Sequence, residues 1–250
     1  MRAVLFDLGN TLVSYYAAAD FAPILRKCLR GCIPNLGHDW RGDEDEIFRR
    51  ALALNTERAD YSVWPLAQRL SLLFSREISD QATQDALAAA FLEPIFATAV
   101  VDPEALSTLA SLRADGFVTA IVSNTPWGSP APPWRAELAR HGLLAAVDAV
   151  VFCADVGYRK PHRVPFERAL DLLGVGAEEA VFVGDDPHWD VAGARQAGMQ
   201  PMLLARKEPG PEVVVHGVPI VRSLTDVRAS ILVHAHAPDQ RVQDKICLDH

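Results

Sequence analysis

Hydrophobic positions fall into three patterns along the chain. Residues 2–6 form a short apolar run that stops abruptly at Asp7, and Leu8-Gly9-Asn10-Thr11 then reads as a turn. From about 17 to 98 the apolar positions take helical spacing, in Ala17–Leu29, Glu44–Arg58, Pro65–Arg76 and Asp80–Phe96, and no strand-like run interrupts them. Beyond residue 103 the two periods alternate. Pro103–Asp115 predicts a helix closed by Gly116, Phe117–Val122 a strand, and 124–133, with four prolines and Gly128, a loop. Trp134–His141 follows as a helix, Val147–Cys153 as a strand, and Arg163–Leu173 as a helix stopped by Gly174. Ala180–Val183 is a strand, His188–Ala197 a helix stopped by Gly198, and Gln200–Ala205 a strand. Val213–Val221 is expected to give edge strands and Leu224–Leu232 a last helix.

Strand–helix alternation at this spacing predicts an α/β fold, a doubly wound parallel sheet covered on both faces. The first strand belongs to that sheet, so the helical block is an insertion. The expected division is a core of residues 1–13 and 99–233, an all-helical cap of 14–98, and a loose tail of 234–250.

Composition narrows the function classes. The formal charge is -8 and no basic run occurs, which argues against a nucleic-acid partner, whose phosphates demand clustered Lys and Arg. No apolar run approaches a membrane span, and an acid at position 7 comes too early for a secretory leader, so a cytoplasmic protein is expected. Cys28, Cys32, Cys153 and Cys247 are scattered; the first two, spaced i, i+4 on a helix, read as ordinary helix positions rather than half of a zinc site. His234 and His236 read as solvated residues. Nothing in the pattern points to an oligomeric state. Basic residues are almost all Arg, with only Lys27, Lys160, Lys207 and Lys245 as lysines, which draws attention to each Lys.

Chemistry gathers at the strand ends, where open α/β sheets bind ligands. The first strand ends at Asp7, the second at Ser123-Asn124-Thr125, and the fourth at Gly184-Asp185-Asp186 with Asp190 a turn later. The third leads into Asp155-Val156-Gly157-Tyr158-Arg159-Lys160-Pro161. Four carboxylates converging in a crevice repel one another, and each costs several kcal/mol if desolvated and unpaired. A divalent cation together with Lys160 offsets that charge, and Mg²⁺ suits an all-oxygen donor set. A site with a cation and an ammonium attracts phosphate, and carboxylate attack on phosphorus becomes feasible.

The same residues carry a resemblance. Phe6-Asp7-Leu8-Gly9-Asn10-Thr11-Leu12, Val122-Ser123-Asn124-Thr125, Gly157-Tyr158-Arg159-Lys160-Pro161 and Val183-Gly184-Asp185-Asp186, continuing through Asp190 to Met199, resemble the four motifs of the haloacid dehalogenase superfamily, in family order. Most members are Mg²⁺-dependent phosphatases, and the helical block at 14–98 stands where the family's C1 cap is inserted. The resemblance implies hydrolysis of a small phosphorylated molecule. It makes Asp7 the nucleophile that forms an aspartyl-phosphate, with Ser123, Asn124 and Lys160 at the transferred group. It also makes Asp7, Asp185 and the carbonyl of Gly9 the metal ligands, with Asp186 and Asp190 serving metal-held water or Lys160.

One position departs from the pattern. Phosphatases of the family usually carry a second Asp two residues after the nucleophile, as general acid and base, and here that position is Gly9. Such a group typically contributes about 10²–10⁴-fold. Three readings follow: a phosphatase with another acid or good leaving groups, chemistry that needs no acid such as dehalogenation or phosphonate hydrolysis, or a silent interaction module. The Asp185-Asp186 pair favours a metal and so the phosphoryl hydrolase. Asp186 also suits the N-cap of the helix starting at Pro187, and Asp190 complements the helix dipole. In the insertion, Tyr15, Tyr16, Arg49, Arg50, Arg58, Tyr61 and Trp64 are unranked candidates to face the site, as are Trp127 and Trp134 in the proline-rich loop and His188 and Trp189.

Overall fold

The computed structural model describes residues 1–37, 40–207 and 217–236, the last three by backbone alone. The chain opens with strand β1 (Ala3–Phe6) and a short strand β2 (Val13–Ser14). Four helices follow: α1 (Phe21–Cys32), α2 (Glu44–Leu54), α3 (Leu66–Phe74) and α4 (Gln81–Phe96). Strand β3 (Val100–Val101) returns antiparallel to β2, so a two-stranded stem carries the helical insertion. The buried positions of α1 are Ile24, Leu25, Cys28, Leu29 and Cys32, and those of α4 are Leu87, Ala88, Phe91, Leu92 and Ile95. Each set is one stripe at helical spacing, and the two helices pack together. Gly31 permits the close approach, because a Cβ there would stand 2.9 Å from the Ala90 carbonyl oxygen. Asp43 and Asp80 cap α2 and α4 through backbone N–H groups of their first turns.

Alternation then resumes. Helix α5 (Ala105–Ala114) leads to β4 (Val118–Ser123), α6 (Ala131–Arg140), α7 (Leu143–Ala146), β5 (Ala149–Phe152), α8 (Cys153–Val156) and α9 (Val164–Leu173). Strand β6 (Ala180–Gly184) runs into a π-helical turn, Pro187–Ala192, and α10 (Gly193–Gln196). Strands β7 (Gln200–Leu204) and β8 (Ile220–Val221) and helix α11 (Leu224–His236) complete the described chain. The sheet order is β5-β4-β1-β6-β7-β8, all parallel. Strands β1 and β6 are buried throughout, which is why both read as unbroken apolar runs. No described helix is long and apolar enough to cross a membrane.

Two expectations change. The stretch 124–133 is not loop throughout, since α6 begins at Ala131 and holds Pro132 and Pro133 in its first turn. First-turn N–H groups have no intrahelical partner, so prolines there forfeit no bond. Helix α11 extends to His236, so the expected tail does not begin at 234; residues 237–250, and 213–216 of the expected edge strands, lie outside the described residues. Cys28, Cys32 and Cys153 are buried thiols, and burial pushes both Cys28 and Cys32 up to about 12.

Candidate active site

Strand order reverses direction at β1, with β4 on one side and β6 on the other, and this opens a crevice at their C-terminal ends. Register delivers the chemistry to it. Phe6 pairs with Ile121 and with Val183, so Asp7 leaves the sheet beside Ser123 and Asp185. Carboxylate oxygens of Asp7, Asp185 and Asp190 lie within 4.8 Å of one another. Lys160 reaches the same point from the β5–α9 connection, and its Nζ donates to Asp7 Oδ1 at 2.5 Å and to Asp190 Oδ1 at 2.7 Å.

Burial sets the electrostatics. It works against the charge on Lys160, yet the Asp190 and Asp7 carboxylates outweigh it and hold the ammonium above the ordinary lysine pKa. Burial, reinforced by Asp7 and Asp190, pushes Asp185 up to about 7. Burial also raises Asp190, against the pull of Lys160. Three carboxylates and one ammonium leave two negative charges uncompensated when all are ionised. An oxygen-only set with that deficit fits a hard divalent cation.

The remaining candidates are placed by particular local structure. Asp190 sits in the π-helical turn and turns inward; its Oδ2 accepts from the Asp186 N–H at 3.1 Å. Gly184 is required there, because a Cβ would stand 2.3 Å from Asp190 Oδ2. Asp186 is not one of the three clustered acids: its Oδ1 caps the turn, accepting from the His188 and Trp189 N–H groups at 2.7 and 2.8 Å. Ser123 is buried at the end of β4, its hydroxyl on the Asn124 carbonyl at 3.2 Å. Asn124 clasps the backbone of Lys160, accepting from its N–H at 2.8 Å and donating to its carbonyl at 3.1 Å. Its amide therefore positions the lysine. Asn10 takes the left-handed conformation at φ 56°, and Arg206 ties the loop down through the Asn10 and Thr11 carbonyls and Asp102. A Cβ on Gly9 would meet nothing within 4 Å.

The segment between α2 and α3 closes over the Lys160 loop. Val63 N–H donates to the Gly157 carbonyl and Arg159 N–H to the Tyr61 carbonyl, each at 2.8 Å, as a short antiparallel bridge at Ser62 and Tyr158. Glu57 lies 3.0 Å from Arg159 and 3.5 Å from Arg69, a buried helix residue beneath it. Trp127, itself left-handed at φ 55°, donates to Asn55 Oδ1 at 2.9 Å. A cavity of about 410 Å³ opens at this seam, with Asn55, Glu57 and Phe91 from the insertion and Asn124, Trp127 and Arg159 from the core among its walls. An adjoining cavity of about 200 Å³ reaches Gly9, Ser123 and Tyr15.

Of the unranked candidates, Tyr15, Tyr16, Trp127, Trp134 and Trp189 line these cavities. Arg49 instead pairs with Glu46, Arg50 binds the Leu72 carbonyl and Arg58 the Ser62 hydroxyl. Tyr61 and His188 meet each other at 3.4 Å, and Trp64 receives Arg69 through its carbonyl and ring. Sequence reasoning missed Asn55, Glu57 and Arg159. Arg159 adjoins Lys160, which was a usable signal; Asn55 and Glu57 had none.

Comparison with known proteins bears on this geometry. The model of the haloacid dehalogenase-like hydrolase family matches residues 1–198. A phosphoglycolate phosphatase of Rhodospirillum rubrum is 32% identical over 207 residues, covering 82% of this chain and 79% of its own. A ribulose-1,5-bisphosphate 5-phosphatase of Halopiger xanaduensis is 31% identical, with 82% and 85% covered. A phosphatase structure from Thermococcus onnurineus superposes with a TM-score of 0.66 at 26% identity, over 92% of this chain and 98% of its own. A 2-haloacid dehalogenase structure from Pseudomonas syringae pv. Tomato gives 0.67 at 24%, over 93% and 98%, so overall shape alone does not separate the two chemistries.

Proposed function

The chain belongs to the haloacid dehalogenase-like hydrolases, and from that premise we propose that it hydrolyses small-molecule phosphate monoesters through an aspartyl-phosphate on Asp7. The observation that carries this reading is the Asp7 carboxylate held by buried Lys160 beside Asp185 and Asp190. Its relatives named for phosphoglycolate and ribulose bisphosphate support a small phosphorylated substrate. In the proposed reaction Asp7 Oδ attacks phosphorus, Lys160 and Ser123 hold the phosphoryl oxygens, and water then cleaves the acyl phosphate. Asp7, Asp185 and the Gly9 carbonyl would hold Mg²⁺. Bound there, it would screen the carboxylate from the incoming phosphate. Asp190, already committed to Lys160 and the Asp186 N–H, keeps the ammonium in place. The helical insertion acts as the cap that closes over the ester and excludes water.

The test is phosphate release from p-nitrophenyl phosphate and a panel of sugar and acid phosphates with Mg²⁺. Metal-dependent turnover supports the reading; none on any ester overturns it. Gly9, which lacks the usual acid, favours one second reading, displacement of halide without metal. Halide release from 2-haloacids in the presence of chelator is its signature.

Gly9→Asp is expected to raise turnover of alkyl phosphates about 10-fold. A Cβ at Gly9 meets nothing within 4 Å, and a carboxyl there would supply the proton donor that the position lacks. Steady-state rates on an alkyl ester check this, and an unchanged rate would mean that another group already supplies the proton.

Asp185 gives a pH dependence. Its pKa rises on folding from 3.8 to about 7, so the folded chain holds a proton that the unfolded chain has lost. That contribution costs stability progressively as pH rises from about 4 to 7 and is complete above 7. A divalent cation favours the ionised form. Added Mg²⁺ is therefore expected to raise the melting temperature at pH 8 and far less at pH 5, and Asp185→Asn is expected to abolish the difference. Equal Mg²⁺ shifts at both pH values would count against the site.

A further inference from the structure

Tyr15 lines the same cavity as Gly9, the position that lacks the usual acid. Tyr15 follows β2 directly, at the rim of the cavity of about 200 Å³ that reaches Gly9, Asn10 and Ser123. Its ring is held edge-on against Trp134, with centroids 5.6 Å apart. Its hydroxyl oxygen is buried and has no hydrogen-bond partner among the described residues. A buried hydroxyl with nothing to bind is costly and calls for an explanation. Asp7 is close enough to act on it electrostatically, as do Glu137 and Arg140 from α6. A substrate oxygen entering this cavity would satisfy the hydroxyl.

We propose that Tyr15 is the proton donor to the leaving oxygen of the ester, doing from the cap stem what an acid at position 9 would do. This rests on the phosphoryl-hydrolase reading. As Asp7 Oδ bonds to phosphorus and the bond to the alcohol oxygen breaks, that oxygen takes the Tyr15 proton and leaves as the alcohol. Tyr15 is then a phenolate, formed when Asp7 is esterified and no longer repels it. In the second step a water attacks phosphorus, its proton returns to Tyr15, the bond to Asp7 breaks, and phosphate is released. Proton and charge balance without a further reactant. Burial first, then Glu137 and Asp7, hold the hydroxyl above the ordinary tyrosine pKa. It is therefore protonated before the first step and strongly basic in the second.

The experiment compares wild type, Tyr15→Phe, and Tyr15→Phe combined with Gly9→Asp on an alkyl phosphate and on p-nitrophenyl phosphate. Here kcat/KM reports the steps through loss of the alcohol. Tyr15→Phe is expected to lower kcat/KM for the alkyl ester by about 10²-fold more than for the aryl ester, whose leaving group needs little protonation. Gly9→Asp in the same chain is expected to restore the ratio. A Tyr15→Phe loss that is equal on both esters marks a packing role and overturns the proposal, as does an unmoved ratio or a failed rescue. A wild type inactive on both esters overturns the phosphoryl-hydrolase reading itself and the Tyr15 role with it.

Discussion

Asp7→Asn is expected to abolish phosphate release, lowering turnover on the order of 10⁴-fold or more. The amide keeps the size of the carboxylate and still accepts a hydrogen bond from Lys160, so the geometry at the end of β1 survives. The amide oxygen is a poor nucleophile and forms no stable acyl phosphate. The substitution also removes one of three mutually repelling acids while Lys160 keeps Asp190 at 2.7 Å. Folding stability is therefore expected to change little, and Asp185, relieved of one neighbouring charge, to ionise more readily. Phosphate release with a parallel thermal melt checks both halves. Turnover within tenfold of wild type contradicts the nucleophile; a collapsed melt would show that Asp7 serves the fold instead.

Lys160→Met should be the most damaging change to the fold among the site residues. The ammonium is 2% exposed and pairs with two acids, one of them, Asp190, equally buried. Removing one partner of a buried ion pair costs roughly 3–5 kcal/mol, because the other charge remains without compensation. The loss should be largest at neutral pH and smaller near pH 5, where Asp190 and Asp185, both raised, take up protons. Adding Asp190→Asn should recover part of the stability and none of the activity, since the phosphoryl group still lacks its cation. Denaturant unfolding of the four chains of this cycle measures the coupling. Additive effects at neutral pH would mean that the pair does not hold the site together.

The sequence marks some of this architecture and not the rest, for physical reasons. Parallel strands buried on both faces leave continuous apolar runs, so Ala3–Phe6 and Ala180–Gly184 were readable as central strands. The acids that follow them, Asp7 and Asp185, were readable as candidates for the same cause, and the structure brings the two together. Helix stripes such as Ile24, Leu25, Cys28 and Leu29 were readable because burial follows the helical period. The start of α6 at Ala131 was hidden by prolines that look like loop and in fact sit where helices tolerate them. Asp186 illustrates the limit of composition: four acids were visible, but only backbone geometry shows that its oxygen caps the π-helical turn while Asp190 turns inward. Asn124 was read as a substrate contact, yet its amide is spent on both backbone groups of Lys160. Asn55 and Glu57 fall within the helix expected over Glu44–Arg58, which in the structure ends at Leu54, and their place at the cavity depends on pairing with residues about 100 positions away, which no local pattern records.

The absence of a carboxylate at position 9 makes the covalent step the claim on which the rest depends. The most direct measurement mixes the protein with Mg²⁺ and p-nitrophenyl phosphate, quenches with acid within the first turnovers, and locates any phosphoryl group by peptide mass spectrometry. The expected result is a phosphoryl group on the peptide containing Asp7, absent from Asp7→Asn and absent when the metal is chelated. Phosphate release with no phosphoryl group on Asp7, or with the group on another residue, would contradict the account.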